Sequence, residues 1–185
     1  MAKDRKIDMV ILGLLSHEDL TGYDIKKRID GAVSFFWKGS YGSIYPALKA
    51  MEGEGQIRKY KADDSGSREK ILYHITDKGM DVLKSWLEDE KAVNELKYET
   101  LLKLYFGGVE NPDITIRNIE AFESNIKSDL ELLKMYKENL EKARDNSDHV
   151  YYLLTVMFGI ETYEAYLRWC SKARKMLKDG SGTRS

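Results

Sequence analysis

The sequence predicts a mainly α-helical protein with one small β-hairpin. Helical periodicity of apolar residues runs almost unbroken from residue 76 to about residue 177, whereas residues 56–75 alternate like a pair of strands. Only two prolines interrupt the 185 residues. Apolar side chains make up 42% of the chain, which is too much for a disordered protein and enough for a buried core.

Composition also excludes several classes of protein. The single cysteine, Cys170, has no partner for a disulfide within the chain, and the apolar run at residues 9–15 is too short for a signal peptide. The longest apolar stretch, at residues 150–160, has 11 residues, whereas about 20 are needed to span a bilayer. We therefore expect a cytoplasmic protein with no membrane partner.

The distribution of charge and the length of the helical segments divide the chain into two main parts. Residues 1–75 carry 13 basic and 11 acidic side chains, whereas residues 76–185 carry 17 and 20. Helical segments are short and broken by glycine in the first part and long in the second. We predict one domain at residues 1–90, a helical domain at 91–178 and a flexible Gly/Ser-rich tail at 179–185. The net charge of −1 averages over these parts, so it argues only weakly against a nucleic-acid partner.

The first domain begins with two short helices. Residues 7–16 place four aliphatic side chains on one helical face, namely Val10, Ile11, Leu14 and Leu15. Thr21 has the position of an N-cap, with Asp24 as its capping-box partner, and opens a helix over residues 22–30. We expect this helix to direct Tyr23, Ile25 and Ile29 inward. Its basic residues face solvent or phosphate, and they are Lys26, Lys27 and Arg28.

A third helix is predicted over residues 43–53, after a loop rich in glycine and aromatic residues. Pro46 falls in its first turn, where backbone N–H groups have no helical acceptor. The inner face carries Ile44, Leu48 and Met51. The opposite face carries Ser43, Tyr45, Pro46 and Lys49.

A hairpin and a fourth helix complete the first domain. Residues 56–61 and 69–75 form two strands around a turn-rich segment, and Thr76 caps a helix to about residue 87. The inward residues of that helix are Met80, Leu83 and Leu87. This order of elements is that of a winged helix-turn-helix, in which one helix enters the major groove of DNA. Element order alone leaves two interpretations open, namely DNA binding and a small α+β domain without nucleic acid.

One stretch of sequence favours DNA binding. Residues 42–52 read Gly-Ser-Ile-Tyr-Pro-Ala-Leu-Lys-Ala-Met-Glu and are followed by Gly55-Gln56-Ile57, which closely resembles the signature of PadR-family transcriptional regulators. Gln56 departs from that signature, which often has an aliphatic residue there. The segments Gly22-Tyr23-Asp24-Ile25 and Tyr73-x-Ile75-Thr76-x-x-Gly79 also resemble landmarks of the family.

The resemblance extends beyond the first domain. It is strong over residues 7–88 and weaker through residues 97–107 and 151–169, which are similar to the longer C-terminal domain of the virulence-activator-like subgroup. It implies a dimeric bacterial transcription factor, usually a repressor, that binds double-stranded DNA at an inverted-repeat, palindromic operator.

The resemblance also implies which residues meet DNA. Carried over by position, the groove-facing residues are Ser40, Tyr41, Ser43, Tyr45, Pro46 and Lys49. Arg68 and Lys70 flank the turn of the hairpin and are the implied contacts to the DNA backbone or the minor groove. Tyr45 keeps a structural alternative, in which its ring packs under the hairpin while its hydroxyl reaches a phosphate.

The second domain is predicted to be helical and dimeric. A helix over residues 98–105 ends at a pair of glycines, a long helix runs to about residue 145, and a last helix begins near residue 147. The long helix carries a coiled-coil-like stripe of Ile119, Phe122, Ile126, Leu130, Leu133 and Leu140. The apolar surface of such a stripe can be covered by a neighbouring helix of the same chain or by a second chain. Because the first domain is predicted to bind DNA, we favour a homodimer through these residues.

The last helix is rich in aromatic residues. Tyr152, Tyr163 and Trp169 are candidates for a pocket that holds a small aromatic or phenolic effector, although aromatics at helical spacing are more often core. Cys170 is more typical of packing than of a redox sensor. His74 and His149 have no Cys or His at ligand spacing, so we expect neither a metal nor a cofactor.

Two functions compete on these observations. The first is a ligand- or stress-responsive transcriptional repressor, and the alternative is a protein-interaction module whose winged helix binds a partner rather than specific DNA. An enzyme is disfavoured because the sequence shows no Ser/His/Asp or Cys/His constellation and no phosphate-binding glycine loop.

Overall fold

The computed structural model describes residues 5–37, 44–62, 70–92, 94, 97–109, 111–142 and 148–181. The chain divides into two compact units, Met1–Asn94 and Glu95–Ser185. Within the described residues the predicted class, mainly helical with one small antiparallel strand pair, is confirmed.

In its described residues, the first unit contains four α-helices, one short 3₁₀ helix and two strands. The elements in chain order are α1 (Lys6–Leu15), α2 (Gly22–Asp30), a short 3₁₀ helix (Ala32–Phe35), α3 (Ile44–Gly53), β1 (Ile57–Ala62), β2 (Lys70–Ile75) and α4 (Asp77–Glu88). The second unit contains α5 (Glu99–Tyr105), a 3₁₀ turn (Gly107–Val109), α6 (Pro112–Lys142) and α7 (His149–Ser181).

A single apolar core holds the first unit together. All four α-helices and both strands contribute buried side chains, among them Ile11, Leu12, Ile25, Ile29, Leu48, Met51, Ile57, Ile75 and Leu83. α1 lies at the centre of this core, because six of its ten residues are buried. Of the predicted inner face, Ile11 and Leu15 are buried, while Val10 and Leu14 pack against the core from its edge.

Two threonines begin helices as predicted. The Thr21 hydroxyl oxygen accepts a hydrogen bond from the Asp24 backbone N–H, and the hydroxyl donates to the Asp24 carboxylate at 2.6 Å. Thr76 likewise accepts from the Gly79 N–H at 3.1 Å. Each cap satisfies a backbone donor that the first turn of a helix leaves without a partner.

The start of α4 packs very closely on the connection between α3 and β1. A Cβ atom added to Gly79 would lie 2.1 Å from the Gln56 carbonyl oxygen, a distance that no side chain tolerates. The same carbonyl accepts hydrogen bonds from the backbone N–H and the hydroxyl of Thr76. Glycine is therefore required at position 79 for reasons of space.

The strand pair is tied to the helices at one end. β1 and β2 pair antiparallel, with Ile57 opposite Ile75 and Ala62 opposite Lys70. Leu20, between α1 and α2, adds an isolated bridge to Tyr73. Burial increases along β2 from the exposed Lys70 to the buried Ile75, so the strands project away from the core as a wing.

Two predicted inward residues of the first unit lie on its surface instead. Tyr23 is 69% exposed and Leu87 is 67% exposed. Tyr23 lies two residues before Ile25, so a helix that buries Ile25 turns Tyr23 about 200° away from the core. Leu87 lies in the last turn of α4, beyond the point at which that helix leaves the core.

The second unit is built on an antiparallel pair of long helices. Phe122, near the start of α6, contacts Trp169 in the second half of α7, whereas Leu133 lies against Gly159 further back along α7. Among the described residues, no helix is long and apolar enough to cross a membrane.

Candidate nucleic-acid interface

The two faces of α3 differ as predicted. Ile44, Leu48 and Met51 are buried in the core of the first unit, at 1% exposure or less. Tyr45, Pro46 and Lys49 point outward, and Tyr45 is 60% exposed. The spacing of three and four residues between buried positions fixes both faces, because a helix repeats every 3.6 residues.

The described residues contain only part of the predicted DNA-binding set. Lys70 lies exposed at the first position of β2. The other members lie outside the described residues, and they are Ser40, Tyr41, Ser43 and Arg68.

Tyr45 packs against α2. A Cβ atom built on Gly22 would lie 2.9 Å from Cε1 of the Tyr45 ring, so the ring lies directly over the first residue of α2. The phenol of Tyr45 also lies near that of Tyr73 on β2, whose pKa is raised by burial and further by Tyr45. Tyr45 therefore has a structural contact, chiefly with α2, and still exposes more than half of its surface.

Basic side chains line the first strand of the wing. Arg58, Lys59 and Lys61 of β1 are all exposed, and Lys59 forms an ion pair with Glu52 of α3 at 3.0 Å. The hydrogen bond with Glu52 raises the pKa of Lys59. These residues are not among the predicted DNA contacts, although their place in a strand of the predicted hairpin was a usable signal.

A carboxylate fixes the wing to the helices. Asp19 accepts a hydrogen bond from the Tyr60 hydroxyl on β1 and contacts Nδ1 of His74 on β2 at 2.7 Å. Burial alone would raise the pKa of Asp19, but hydrogen bonds from Tyr60 and His74, with the nearby charge of Arg58, lower it. One side chain thus holds both strands against the segment between α1 and α2.

The basic run on α2 is largely neutralised by acids. Arg28 pairs with Glu18, and Lys26 lies 3.5 Å from Asp30. All three basic side chains of the run, including Lys27, are exposed. This arrangement favours a solvated face over a phosphate site.

The stripe that we expected to dimerise is used within one chain. Ile119, Ile126, Leu130 and Leu133 are buried in the second unit, where α6 packs on α7, and Phe122 and Leu140 are partly buried there. The antiparallel neighbour α7 already covers the four buried residues within one chain, so their contact with a second chain stays a prediction. Sequence periodicity identified the apolar face of α6 but not the helix that covers it.

A different apolar face remains open in the second unit. The first half of α7 exposes Val150, Tyr151, Leu154, Met157 and Phe158, and the adjoining part of α6 exposes Leu132 and Met135. Phe158 is 71% exposed. Isolated exposed apolar residues are ordinary, whereas a continuous row along a helix indicates a contact surface.

The three residues of the predicted effector pocket are not brought together. Tyr163 and Trp169 belong to an aromatic cluster with Tyr98, Phe122 and Tyr166, in which neighbouring ring centroids lie 5.5–6.4 Å apart. Tyr152 lies beside His149 instead, and 11 helical residues, or about 16 Å, separate it from Tyr163.

The aromatic cluster contains a partly buried pair of hydroxyl groups. The hydroxyls of Tyr98 and Tyr166 are hydrogen-bonded to each other. Burial, together with this hydrogen bond, raises the pKa of Tyr98 far above its ordinary value. Burial also raises the pKa of the Cys170 thiol, which is fully enclosed nearby on α7.

Two family models match consecutive parts of the chain. The transcriptional regulator PadR-like family matches residues 11–85, and the virulence activator alpha C-term matches residues 96–178. Similar whole proteins exist as well. The negative transcriptional regulator PadR of Bacillus subtilis is 29% identical over 181 residues, which cover 94% of this chain and 98% of that protein.

Solved structures match over the same length. The crystal structure of Bacillus subtilis PadR in complex with operator DNA has a TM-score of 0.81 at 28% identity and covers 94% of this chain and 99% of that one. The same protein in complex with p-coumaric acid has a TM-score of 0.74 with the same coverage.

Proposed function

The chain belongs to the PadR-like family of transcriptional regulators, and we propose that it is a repressor that binds an inverted-repeat operator as a homodimer. The exposed face of α3 carries the proposal. Tyr45, Pro46 and Lys49 stand outward from a helix whose other face is buried, in a chain that resembles a regulator crystallised on operator DNA.

We infer that α3 and the wing contact different parts of the DNA. α3 reads base edges in the major groove through Lys49, while Tyr45 and the N-terminal backbone of the helix approach phosphates, joined by Ser40, Tyr41 and Ser43. The wing supplies backbone or minor-groove contacts from Arg68 and Lys70, to which the structure adds Arg58 and Lys61 as exposed candidates.

Dimerisation is assigned to the open face of α7. Two copies of the row that includes Leu154 and Phe158 would bury each other across a two-fold axis, as self-complementary surfaces do in a symmetric dimer. The two copies of α3 would then read half-sites about one helical turn, roughly 34 Å, apart. Residues 1–90 would bind DNA, and residues 91–178 would hold the dimer together.

A small phenolic acid is the proposed effector class. The similar Bacillus subtilis regulator was crystallised with p-coumaric acid, and this chain has an aromatic cluster around Tyr163 and Trp169 with hydroxyl groups inside it. Binding that opens the cluster would change the second unit and release the operator. In this role the protein acts in the cytoplasm as a DNA-binding regulator without catalysis or a cofactor.

Fluorescence anisotropy tests the proposal. Labelled duplexes from the region upstream of the protein's own gene, and scrambled duplexes of equal length, are titrated with the full chain at several salt concentrations. We expect a specific complex whose association constant falls steeply with salt, because several phosphates lose counterions on binding. Equal, weak binding to both duplexes would support the alternative, a protein-interaction module.

One substitution refines the test. Lys49→Ala should reduce the preference for the operator by about 10-fold, because a contact to a base edge is worth roughly 1–3 kcal/mol. Lys134→Ala removes one exposed positive charge from α6 and serves as the matched control. An unchanged preference in Lys49→Ala would remove that residue from the recognition set.

A further inference from the structure

Gly22 lies at a position where the neighbouring atoms, and not the backbone conformation, favour a glycine. It is the first residue of α2 and is buried. Its backbone does not adopt a positive φ, which occurs at Gly55 among the glycines that the structure describes. An alanine could therefore take the same backbone conformation, and alanine favours helices over glycine. What prevents it is the surroundings of the missing Cβ atom.

Those surroundings are two side chains of α3. A Cβ atom at position 22 would lie 2.9 Å from Cε1 and 3.6 Å from Cζ of Tyr45, and 3.6 Å from Cδ1 of Leu48. Carbon atoms pack at about 3.5–4.0 Å, so the contact with Leu48 is ordinary, whereas the contact with the Tyr45 ring is too close and the exposed ring must move. An alanine here would displace the ring of Tyr45 and little else.

We propose that Gly22 is a positioning residue for DNA recognition, because it lets the ring of Tyr45 lie on the first turn of α2 and so holds that side chain in one orientation on the outward face of α3. This inference rests on the proposed function, since it assigns to Tyr45 a role at the DNA. It joins two features that the sequence presents separately, the Gly-Tyr-Asp-Ile segment at residues 22–25 and the Tyr-Pro pair at residues 45–46.

The physical advantage lies in the free state of the protein. A tyrosine that projects without support samples several rotamers and loses that freedom when it binds DNA, whereas a ring already supported on one side loses less. The Tyr45 ring is supported at Gly22 and still leaves 60% of the residue's surface exposed for a ligand. Removal of the support should weaken binding about 3- to 10-fold per chain, and a dimer applies the effect twice.

A double-mutant cycle on operator DNA tests the inference with the full chain. The four proteins are the wild type, Gly22→Ala, Tyr45→Ala and the double variant, measured by anisotropy with operator and scrambled duplexes. We expect Gly22→Ala to weaken operator binding and the double variant to bind no more weakly than Tyr45→Ala, because both substitutions remove the same positioned ring. Wild-type affinity in Gly22→Ala, or effects that multiply in the double variant, would overturn the proposal.

Two controls separate this outcome from misfolding and from failure of the proposed function. Gly13→Ala, in α1, has no atom within 4 Å of the added carbon and should bind as the wild type does. Thermal unfolding of Gly22→Ala should match the wild type within a few degrees. If Gly22→Ala loses its fold, the test is carried by the wild type, Tyr45→Ala and Tyr45→Phe, which leave Gly22 unchanged, through the ring-shift measurement that follows.

The contact itself is measurable without DNA. In NMR spectra of the free protein, the ring of Tyr45 should shift the Gly22 Hα resonances, and Tyr45→Ala should abolish that shift while Tyr45→Phe retains it. Absence of the shift overturns the proposal even if the operator is bound. A wild-type chain that shows the shift but no operator preference overturns the proposed function and, with it, the DNA role of Gly22.

Discussion

The two units of this protein use their apolar residues differently. In the first, the 10-residue helix α1 buries five apolar side chains in the core of its own chain. In the second, α7 spans 33 residues, and among its described side chains only Cys170 is fully buried. The described part of the first unit therefore buries its main apolar face within one chain, whereas the second unit retains an open apolar face that we propose is covered by a second copy.

The largest expected effect on stability comes from adding a carbon atom to the closely packed first unit. Gly79→Ala places a carbon atom 2.1 Å from the Gln56 carbonyl oxygen. The backbone at residue 56 and the backbone at residue 79 cannot separate without loss of the hydrogen bonds that Thr76 donates to this carbonyl oxygen. We expect a loss of about 3 kcal/mol in the free energy of unfolding, measured by urea denaturation.

Gly53→Ala is the matched control for this substitution. Gly53 ends α3, and nothing lies within 4 Å of its added carbon, so stability should change by less than about 1 kcal/mol. Equal stabilities for the two variants would show that the first unit is not closely packed at Gly79.

The next effect concerns the open face of α7. Phe158→Glu replaces a side chain that is 71% exposed in the single chain, so the fold of the second unit should be retained. If that side chain is buried in the dimer, each copy loses about 2 kcal/mol of apolar burial, equivalent to about 30-fold in the dissociation constant per copy. Light scattering after size exclusion should therefore show monomers at micromolar concentrations at which the wild type is dimeric.

Ser171→Glu serves as the control for charge on α7. Ser171 is exposed and lies 13 residues further along the helix, which places it on a different side from Phe158. Its variant should remain dimeric. A monomeric wild type, or a dimeric Phe158→Glu protein, would contradict the assignment of the dimer to this face.

The smallest expected effect is a pH dependence of the free energy of unfolding, which arises from Asp19 in the first unit. The folded-state pKa of Asp19 is lowered, so its carboxylate contributes stability above the unfolded value of about 3.9 and loses it as the pH falls through the folded value. Asp19→Asn should lower the free energy of unfolding at pH 7 by less than about 1 kcal/mol, because the pair with His74 is partly exposed. At pH 3 the difference from the wild type should shrink.

Asp81→Asn, at an exposed position on α4, provides the comparison. Urea denaturation of both variants at pH 7 and pH 3 checks the result. A difference between Asp19→Asn and the wild type that grows as the pH falls would refute the role of the Asp19 carboxylate.

Local signals in the sequence predicted local structure well. Thr21 and Thr76 cap helices, Pro46 lies in a first turn, and α3 buries Ile44, Leu48 and Met51, because each of these features depends on neighbours within one turn. The prediction for Tyr23 was wrong because that residue lies about 200° around the helix from Ile25, and the prediction for Leu87 was wrong because α4 leaves the core before its last turn. Which helix covers the α6 stripe depends on a distant part of the chain, so periodicity alone could not identify it.

The same distinction applies to the candidate site. Helical periodicity was sufficient to identify Tyr45, Pro46 and Lys49 as outward-facing residues. Three contacts needed the structure because they join parts of the chain more than 20 residues apart, namely Gly22 with Tyr45, Asp19 with Tyr60 and Asp19 with His74.

Sedimentation velocity of a labelled operator duplex with the full chain tests the central claim most directly, namely that one unit binds DNA and the other pairs two copies. We predict that the duplex with an inverted repeat sediments as a single complex with two chains of 21.4 kDa, and that Phe158→Glu forms this complex only at much higher concentration. A saturated complex with one chain, or a gradual accumulation of chains on any sequence, would contradict the account.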